Sequence, residues 1–210
     1  MKKFELTTNT KIVFGKKLFQ IKALVSFRNV EKGDLGGWIE KEENLSQEGN
    51  AWVYGNAEVY GNARVSDNAE VYGNARVSDN AEVYGNARVS GNAEVSGNAW
   101  VSGNARVSGN AEVSGNARVS GNARVSGNAE VSGNARVSGN ADYATIKGFG
   151  TYNRNTTFFK CKDGKVRVVC GCFYGDLDEF RKQVKDTRSG KVAEEYLMIA
   201  DLMEKHFKED

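Results

Sequence analysis

RVSGNAEVSGNARVSGNA occurs twice without a change, at residues 106–123 and again at 124–141. Residues 88–105 repeat it with one difference, Trp100 where the later copies carry Arg118 and Arg136. The 18-mer is itself three hexads of the form Gly-Asn-Ala-x-Val-Ser. Hexads of this kind run from Gly49 to Ala144, 16 in all, with tyrosine for serine in early copies and Asp67 and Asp79 in the glycine place. Tyr143 takes the valine place in the last of them, where the pattern fades. A fixed short period of this kind is the signature of a solenoid.

Within a hexad Ala and Val are two apart, so on an extended backbone both face one side and the residue between them faces the other. In Gly55-Asn56-Ala57-Glu58-Val59-Tyr60, Ala57 and Val59 point inward and Glu58 points out. Gly-Asn supplies a corner, since both residues tolerate left-handed backbone angles better than most. A strand and a corner in every hexad give a triangular coil of three hexads. The duplicated 18-mer is one such coil. The expected fold is mainly β, a single-stranded left-handed parallel β-helix. At the parallel strand spacing the regular rod should be about 25 Å long. Flexible linkers do not place Val at every sixth position.

Both ends of such a rod expose strand edges and need caps. Residues 1–36 read as a β-rich N-terminal cap, with short alternating runs at Phe4–Leu6, Ile12–Phe14 and Leu18–Phe27. Asn44-Leu45-Ser46 is in hexad register with Asn50-Ala51, which starts the β-helix near residue 37 and carries it to 150. Residues 151–210 read as a small α+β cap. Asp163-Gly164 between Phe158–Lys162 and Lys165–Val169 is a hairpin signal. Asp176 with Glu179 forms a capping box opening one helix, and Val192, Tyr196, Ile199, Met203 and Phe207 stripe a second. Those stripes are expected to cover the end of the rod.

The 29 basic and 27 acidic residues leave a net charge of +2, so an electrostatic partner must be read from local patterning rather than overall charge. With 24 glycines and no proline, collagen-like and proline-rich readings fall away. No signal-type apolar run opens the chain and no stretch approaches a membrane span. Three cysteines, Cys161, Cys170 and Cys172, suit a reducing compartment. A cytoplasmic protein without a membrane partner is expected.

The Gly-Asn-Ala-x-Val repeat, preceded by Gly33-Asp34-Leu35-Gly36-Gly37-Trp38-Ile39-Glu40 and Asn44-Leu45-Ser46, resembles hexapeptide-repeat proteins of the transferase-like β-helix group. The tail, from Phe158-Phe159-Lys160 through Cys170-Gly171-Cys172-Phe173-Tyr174-Gly175 to Glu195-Tyr196-Leu197, resembles a C-terminal module common in bacteriophage and prophage proteins. The first resemblance implies the fold and the second implies phage origin. Neither carries over functional residues.

Acyltransferases that resemble this rod typically use a histidine base near a subunit groove, and zinc enzymes on the same fold need three histidine ligands. The chain has one histidine, His206, outside the repeats. The regular hexads contain neither Cys nor His and no insertion loop to shape a groove. Cys170 and Cys172 fall on one face of a strand, poor spacing for a zinc knuckle, so free thiols are expected. The reading is of no catalytic residues, no metal site and no cofactor. An acyltransferase relative and a purely structural spacer are the alternatives. The hexads lack the threonine arrays of an ice-binding rod.

What the rod offers is the residue between Ala and Val. Taken at every third hexad, these positions form three faces. The first is Trp52, Glu70, Arg88, Arg106, Arg124 and Asp142. The second is Glu58, Arg76, Glu94, Glu112 and Glu130, and the third Arg64, Glu82, Trp100, Arg118 and Arg136. Opposite charges stacked in the N-terminal half stabilise by roughly 0.2–1 kcal/mol per pair. Like charges stacked about 5 Å apart in the C-terminal half repel by roughly 0.8 kcal/mol before screening. Copying of whole coils would produce such like-charge ladders automatically. Alternatively Arg88, Arg106, Arg124, Arg118 and Arg136 engage an acidic surface with Trp100 as an aromatic anchor. The expected partner is a protein, such as a host defence component, rather than nucleic acid. Tyr54, Tyr60, Tyr72 and Tyr84 beside the early corners leave room for a homo-oligomer contact.

Overall fold

A computed structural model of the chain describes residues 2–150 and 154–208. Fifteen two-residue strands, from Trp52–Val53 to Arg136–Val137, stack as a parallel solenoid of about six turns. Each strand pairs with the one three hexads away: Arg88–Val89 lies between Glu70–Val71 and Arg106–Val107. Three hexads therefore make one coil, as the duplication implies, and the coil presents three flat sheets.

The hexad uses all its positions. Every Ala and Val from Ala51 to Val137 in the hexad register is buried, valine resting on the valine of the next coil. A hexad inside the stack typically makes three main-chain bonds to the next coil, for example Arg88 N to Ala105 O at 2.9 Å, Ser90 N to Val107 O at 2.9 Å and Asn92 N to Gly109 O at 2.7 Å. The corner is a four-residue turn closed by Ala93 N to Ser90 O at 3.3 Å, with a left-handed backbone at the glycine alone (Gly91 φ 71°). A β-carbon on Gly91 would meet Gly109 N and O at 3.0 and 2.9 Å, so glycine also permits close stacking. Asp67 and Asp79 adopt the same left-handed angle (φ 58° and 60°), and their carboxylates accept from Gly85 N and Gly97 N at 2.9 Å.

The asparagine does not take the left-handed turn position the sequence allowed it. Its side chain instead hydrogen-bonds along the rod. Asn50, Asn68, Asn86, Asn104 and Asn122 form one ladder, each Nδ2 donating to the next Oδ1 at 2.8 to 3.2 Å. Parallel ladders run from Asn56 to Asn128 and from Asn62 to Asn116 on the other two corners.

At the N-terminus a hairpin, Phe4–Val13 with Lys16–Ala23, pairs antiparallel through its second strand with Leu35–Ile39. Trp38–Ile39 then pairs in parallel with Glu58–Val59, so the cap prolongs one face of the rod into an eight-stranded sheet. Trp52, formally an outward position, is only 1% exposed beneath Phe4 and Phe27, whose rings meet it edge-on at 6.3 and 5.4 Å.

Lys3 is buried beside them, its ammonium donating to Ala51 O at 2.9 Å and Glu48 O at 3.3 Å. Burial pushes its pKa down to about 8. Between that value and the unfolded lysine value of ~10.4 the unfolded chain holds a proton that the folded chain has released, so stability rises with pH across this window. The wild type should gain up to about 3 kcal/mol relative to Lys3→Met between pH 8 and 10.4, read from denaturant midpoints.

The C-terminal unit is a four-stranded antiparallel sheet, Tyr143–Phe149, Arg154–Lys160, Val166–Cys170 and Phe173–Asp176, backed by helices α1 (Leu177–Thr187) and α2 (Gly190–Phe207). This moves the expected boundary. The expected start of the tail at residue 151 lies outside the described residues, but 143–149, assigned to the rod, belong to this sheet. The last hexad breaks because the short Asp142 side chain folds back and accepts from Ser138 N, Ser138 Oγ and Gly139 N, all at 2.8 Å. Burial alone would raise the Asp142 pKa; these donors and Lys160 hold it below the usual carboxylate range.

The helices do not cover the rod end themselves, contrary to the expectation. Alternation along the Arg154–Lys160 strand sends Phe159 into the rod core with Cys161 and Val169, and Phe158 to the other side with Val168. The helix stripes, Phe180 and Val184 of α1 and Tyr196, Ile199, Met203 and Phe207 of α2, close over that second side. The predicted capping box is present: Asp176 Oδ1 accepts from Asp178 N and Glu179 N at 3.1 and 3.0 Å, and Glu179 Oε2 accepts from Asp176 N at 2.8 Å.

Candidate binding surface

Each outward residue is held on a two-residue strand whose neighbours are both buried, so its Cβ direction is fixed by the packing of Ala and Val. Register then decides which side chains meet. Arg88, Arg106 and Arg124 lie in one column, and Trp100, Arg118 and Arg136 in another. The six candidate residues therefore occupy two faces of the prism rather than one continuous patch.

They also differ in what already holds them. Arg88 Nε is 2.9 Å from Glu70 Oε2, and Glu70 Oε1 is 3.1 Å from Arg28 Nη1 of the N-terminal cap. Trp100 is half-buried between two neighbours, the Tyr84 ring edge-on at 6.5 Å and the Arg118 guanidinium 4.1 Å from its centroid. It is therefore partly used within the rod. Arg136 sits where the rod meets the C-terminal sheet; burial, then the neighbouring Arg118, lower its pKa, and among the described residues its buried Nη1 has no hydrogen-bond partner. Arg106 and Arg124 are exposed, in register, and among the described residues have no carboxylate partner.

The adjoining face is the electrostatic converse. Near the cap its charges cancel: Lys11 and Arg76 contact Glu58 at 2.7 and 3.3 Å, and Arg76 contacts Glu94 at 2.9 Å. Farther along, Glu112 stacks on Glu130. Burial, with Glu112 adding to it, raises the Glu130 pKa. The C-terminal half of the rod thus carries a basic column on one face and an acidic column on the next.

Two features escaped the sequence reading. The Tyr84–Trp100–Arg118 stack crosses coils, and its signal is that Tyr84 and Arg118 each lie close to one coil from Trp100 along the chain. A cavity of about 490 Å³ lies beside the first coils, lined by Glu42, Glu43, Ser46, Gln47, Arg64 and Glu82. It is formed by the irregular turn after Ile39, where no hexad register predicts a surface.

The thiols separate. Cys161 enters the rod core, whereas Cys170 and Cys172 line a cavity beside α1 and α2. The His206 ring meets the Phe207 ring edge-on, centroids 4.9 Å apart. No helix among the described residues is long and apolar enough to cross a membrane.

Comparison with known proteins places the family-model match within the repeats. The family described as YdcK beta solenoid repeat matches at residues 81–97, 87–103, 99–115, 111–127 and 117–131. A protein of Escherichia coli K12 named "Uncharacterized acetyltransferase YdcK" is 51% identical over 37 residues, 18% of this chain and 11% of that protein. The match thus spans about a tenth of that relative's length. The matched windows fall within the stacked coils, where inward Ala and Val and the Gly-Asn corner dictate most positions. Repeat and fold together make this chain a hexapeptide-repeat β-helix protein.

Proposed function

We propose that the protein is a non-enzymatic binding module that presents Arg106 and Arg124 to an acidic protein surface. The observation carrying this reading is that these two guanidinium groups are exposed, stacked in register, and among the described residues unpaired, while Arg88 one coil earlier is tied to Glu70. A column of like charge on a rigid face costs little in water, yet desolvation opposite carboxylates would make it a specific contact. Arg118 on Trp100 forms a second, aromatic-backed contact on the neighbouring face. The phage-type resemblance of the tail makes a bacterial host protein, such as a defence component, the natural class of partner. Self-association into a homo-oligomer belongs to the same proposal.

The test is a tagged pull-down of the full chain from bacterial lysate at moderate salt, scored for protein and nucleic acid. One stoichiometric protein is expected, with recovery falling about tenfold or more in R106E/R124E and falling as salt rises. Equal recovery by the double variant would overturn the assignment.

The partial match to a protein named an acetyltransferase favours one second reading, an acyl-transfer relative. Turnover of acetyl-CoA by the purified chain would support it. Against it, the chain's one histidine lies in α2, away from the coils that the repeat family matches.

A further inference from the structure

The C-terminal unit contains a feature that neither the rod nor its capping explains. Cys170 ends one strand and pairs with Phe173, which begins the next, so Gly171-Cys172 is a two-residue hairpin turn. Gly171 has a left-handed backbone (φ 62°), and a β-carbon there would collide with the Arg154 guanidinium. The arginine therefore lies directly over the turn that joins the two cysteines. Both thiols line one cavity of about 160 Å³, together with Arg154, Arg188, Thr187, Phe173, Phe180 and Tyr196.

The two sulfurs are placed differently. Cys172 is exposed at the turn, whereas Cys170 is half-buried, its Sγ accepting from Thr156 Oγ1 at 3.2 Å with the Tyr196 hydroxyl 4.0 Å away. An exposed thiol beside a half-buried one is the arrangement of an attacking and a resolving cysteine. Within a two-residue turn their Cα atoms lie inside the range a disulfide spans. Arg154 and Arg188 are exposed beside them and add two fixed positive charges suited to carboxylates. Aromatic rings from both helices form the apolar side.

We propose that Cys170 and Cys172 are a reversible dithiol pair, oxidised by a small carboxylate-bearing disulfide that Arg154 and Arg188 hold against the turn. The Cys172 thiolate attacks one sulfur of that disulfide. Its S–S bond breaks, and one half leaves as a thiolate that takes up a proton. The Cys170 thiolate then attacks the Cys172 sulfur, forming the intrachain bond and releasing the second half, which is protonated in turn. Two electrons pass from the cysteine pair to the small disulfide, and the protons lost by the two cysteines balance those gained by the two released thiols. The ring closed across the single intervening Gly171 is small and strained, so thiols reduce it readily.

The experiment exposes the full chain to glutathione disulfide, quenches by alkylation, and maps the cysteines by peptide mass spectrometry. A Cys170–Cys172 bond is expected in the wild type, with Cys161 remaining a thiol in the rod core. Cys170→Ser should accumulate glutathione on Cys172, and Cys172→Ser should acquire none. Arg188→Gln and Arg154→Gln should each slow oxidation by glutathione disulfide about fivefold while leaving oxidation by cationic cystamine unslowed. Arg188→Gln carries this test independently, because Arg154 also packs on the turn. A persistent glutathione adduct on wild-type Cys172 without the intrachain bond would overturn the proposal. Equal slowing by Arg188→Gln with both disulfides would remove the assigned role of the arginines and overturn it likewise.

Discussion

Val107→Asp should abolish the folded rod, shifting the chain from soluble protein to aggregate at room temperature. Val107 is fully buried at mid-rod, paired in register with Val89 on one side and Val125 on the other. A carboxylate there has no donor within the Ala–Val core. Held ionised it costs several kcal/mol, and held neutral it still leaves a buried hydroxyl and carbonyl unsatisfied. Coils contact only their neighbours, so one faulty coil separates two half-rods, each with a bare edge. Val107→Thr keeps the shape and adds one hydroxyl, and about 1–3 kcal/mol is expected. Soluble yield and far-ultraviolet circular dichroism of the three proteins measure the series. A soluble, fully β Val107→Asp protein would show that the valine column is not the core.

Phe159→Asp should have the second largest effect, by uncapping the rod rather than breaking it. Phe159 is fully buried and belongs to the rod's apolar cluster, together with Cys161 and Val169. Polar links also join the sheet to the rod: Thr157 Oγ1 accepts from Glu130 N at 3.1 Å, Asn155 donates to Asn128 O at 2.7 Å, Lys162 N donates to Asn134 O at 3.2 Å, the Tyr143 hydroxyl donates to Arg124 O, and Ala135 bridges to Cys161. Truncating a buried phenylalanine costs about 3–5 kcal/mol, and an unpaired carboxylate costs more. Once the sheet lifts, the last rungs, Arg124–Val125, Glu130–Val131 and Arg136–Val137, present open strand edges to other chains. Self-association rising with concentration is therefore expected, measured by light scattering. Phe158→Asp should instead loosen α1 and α2, since Phe158 faces them, and leave the rod end covered.

The contrast between these two phenylalanines shows what the sequence reveals and what it withholds. The rod was legible because one hexad serves every position: Ala and Val two apart, glycine at the corner, three hexads from one copy to the next. The asparagine ladders were not, because a corner asparagine serves equally as a turn residue, and only stacked coils bring Asn68 to Asn50 and Asn86. The end of the rod was misjudged for a definable reason. Glu and Arg at the outward position are long and reach solvent, whereas Asp142 is short enough to turn back on Ser138 and Gly139 and start a new sheet. Nor did hexad counting show that a sheet separates the helices from the rod, since both layers are apolar in sequence.

The candidate surface was legible as columns but not as contacts. Stacking at every third hexad correctly grouped Arg88 with Arg106 and Arg124, and Trp100 with Arg118 and Arg136. That Glu70 neutralises Arg88, and that Tyr84 and Arg118 enclose Trp100, depends on side-chain reach across coils. This narrows the exposed basic column to Arg106 and Arg124.

All of this rests on three hexads per coil. The direct measurement is short-reach cross-linking of paired cysteine substitutions in a chain whose Cys161, Cys170 and Cys172 are replaced by serine. Arg106→Cys with Arg124→Cys, neighbours on one face, should link rapidly within a monomer. Arg106→Cys with Arg118→Cys, on different faces, should not. Preferential linking of the second pair would mean two hexads per coil and would contradict the account.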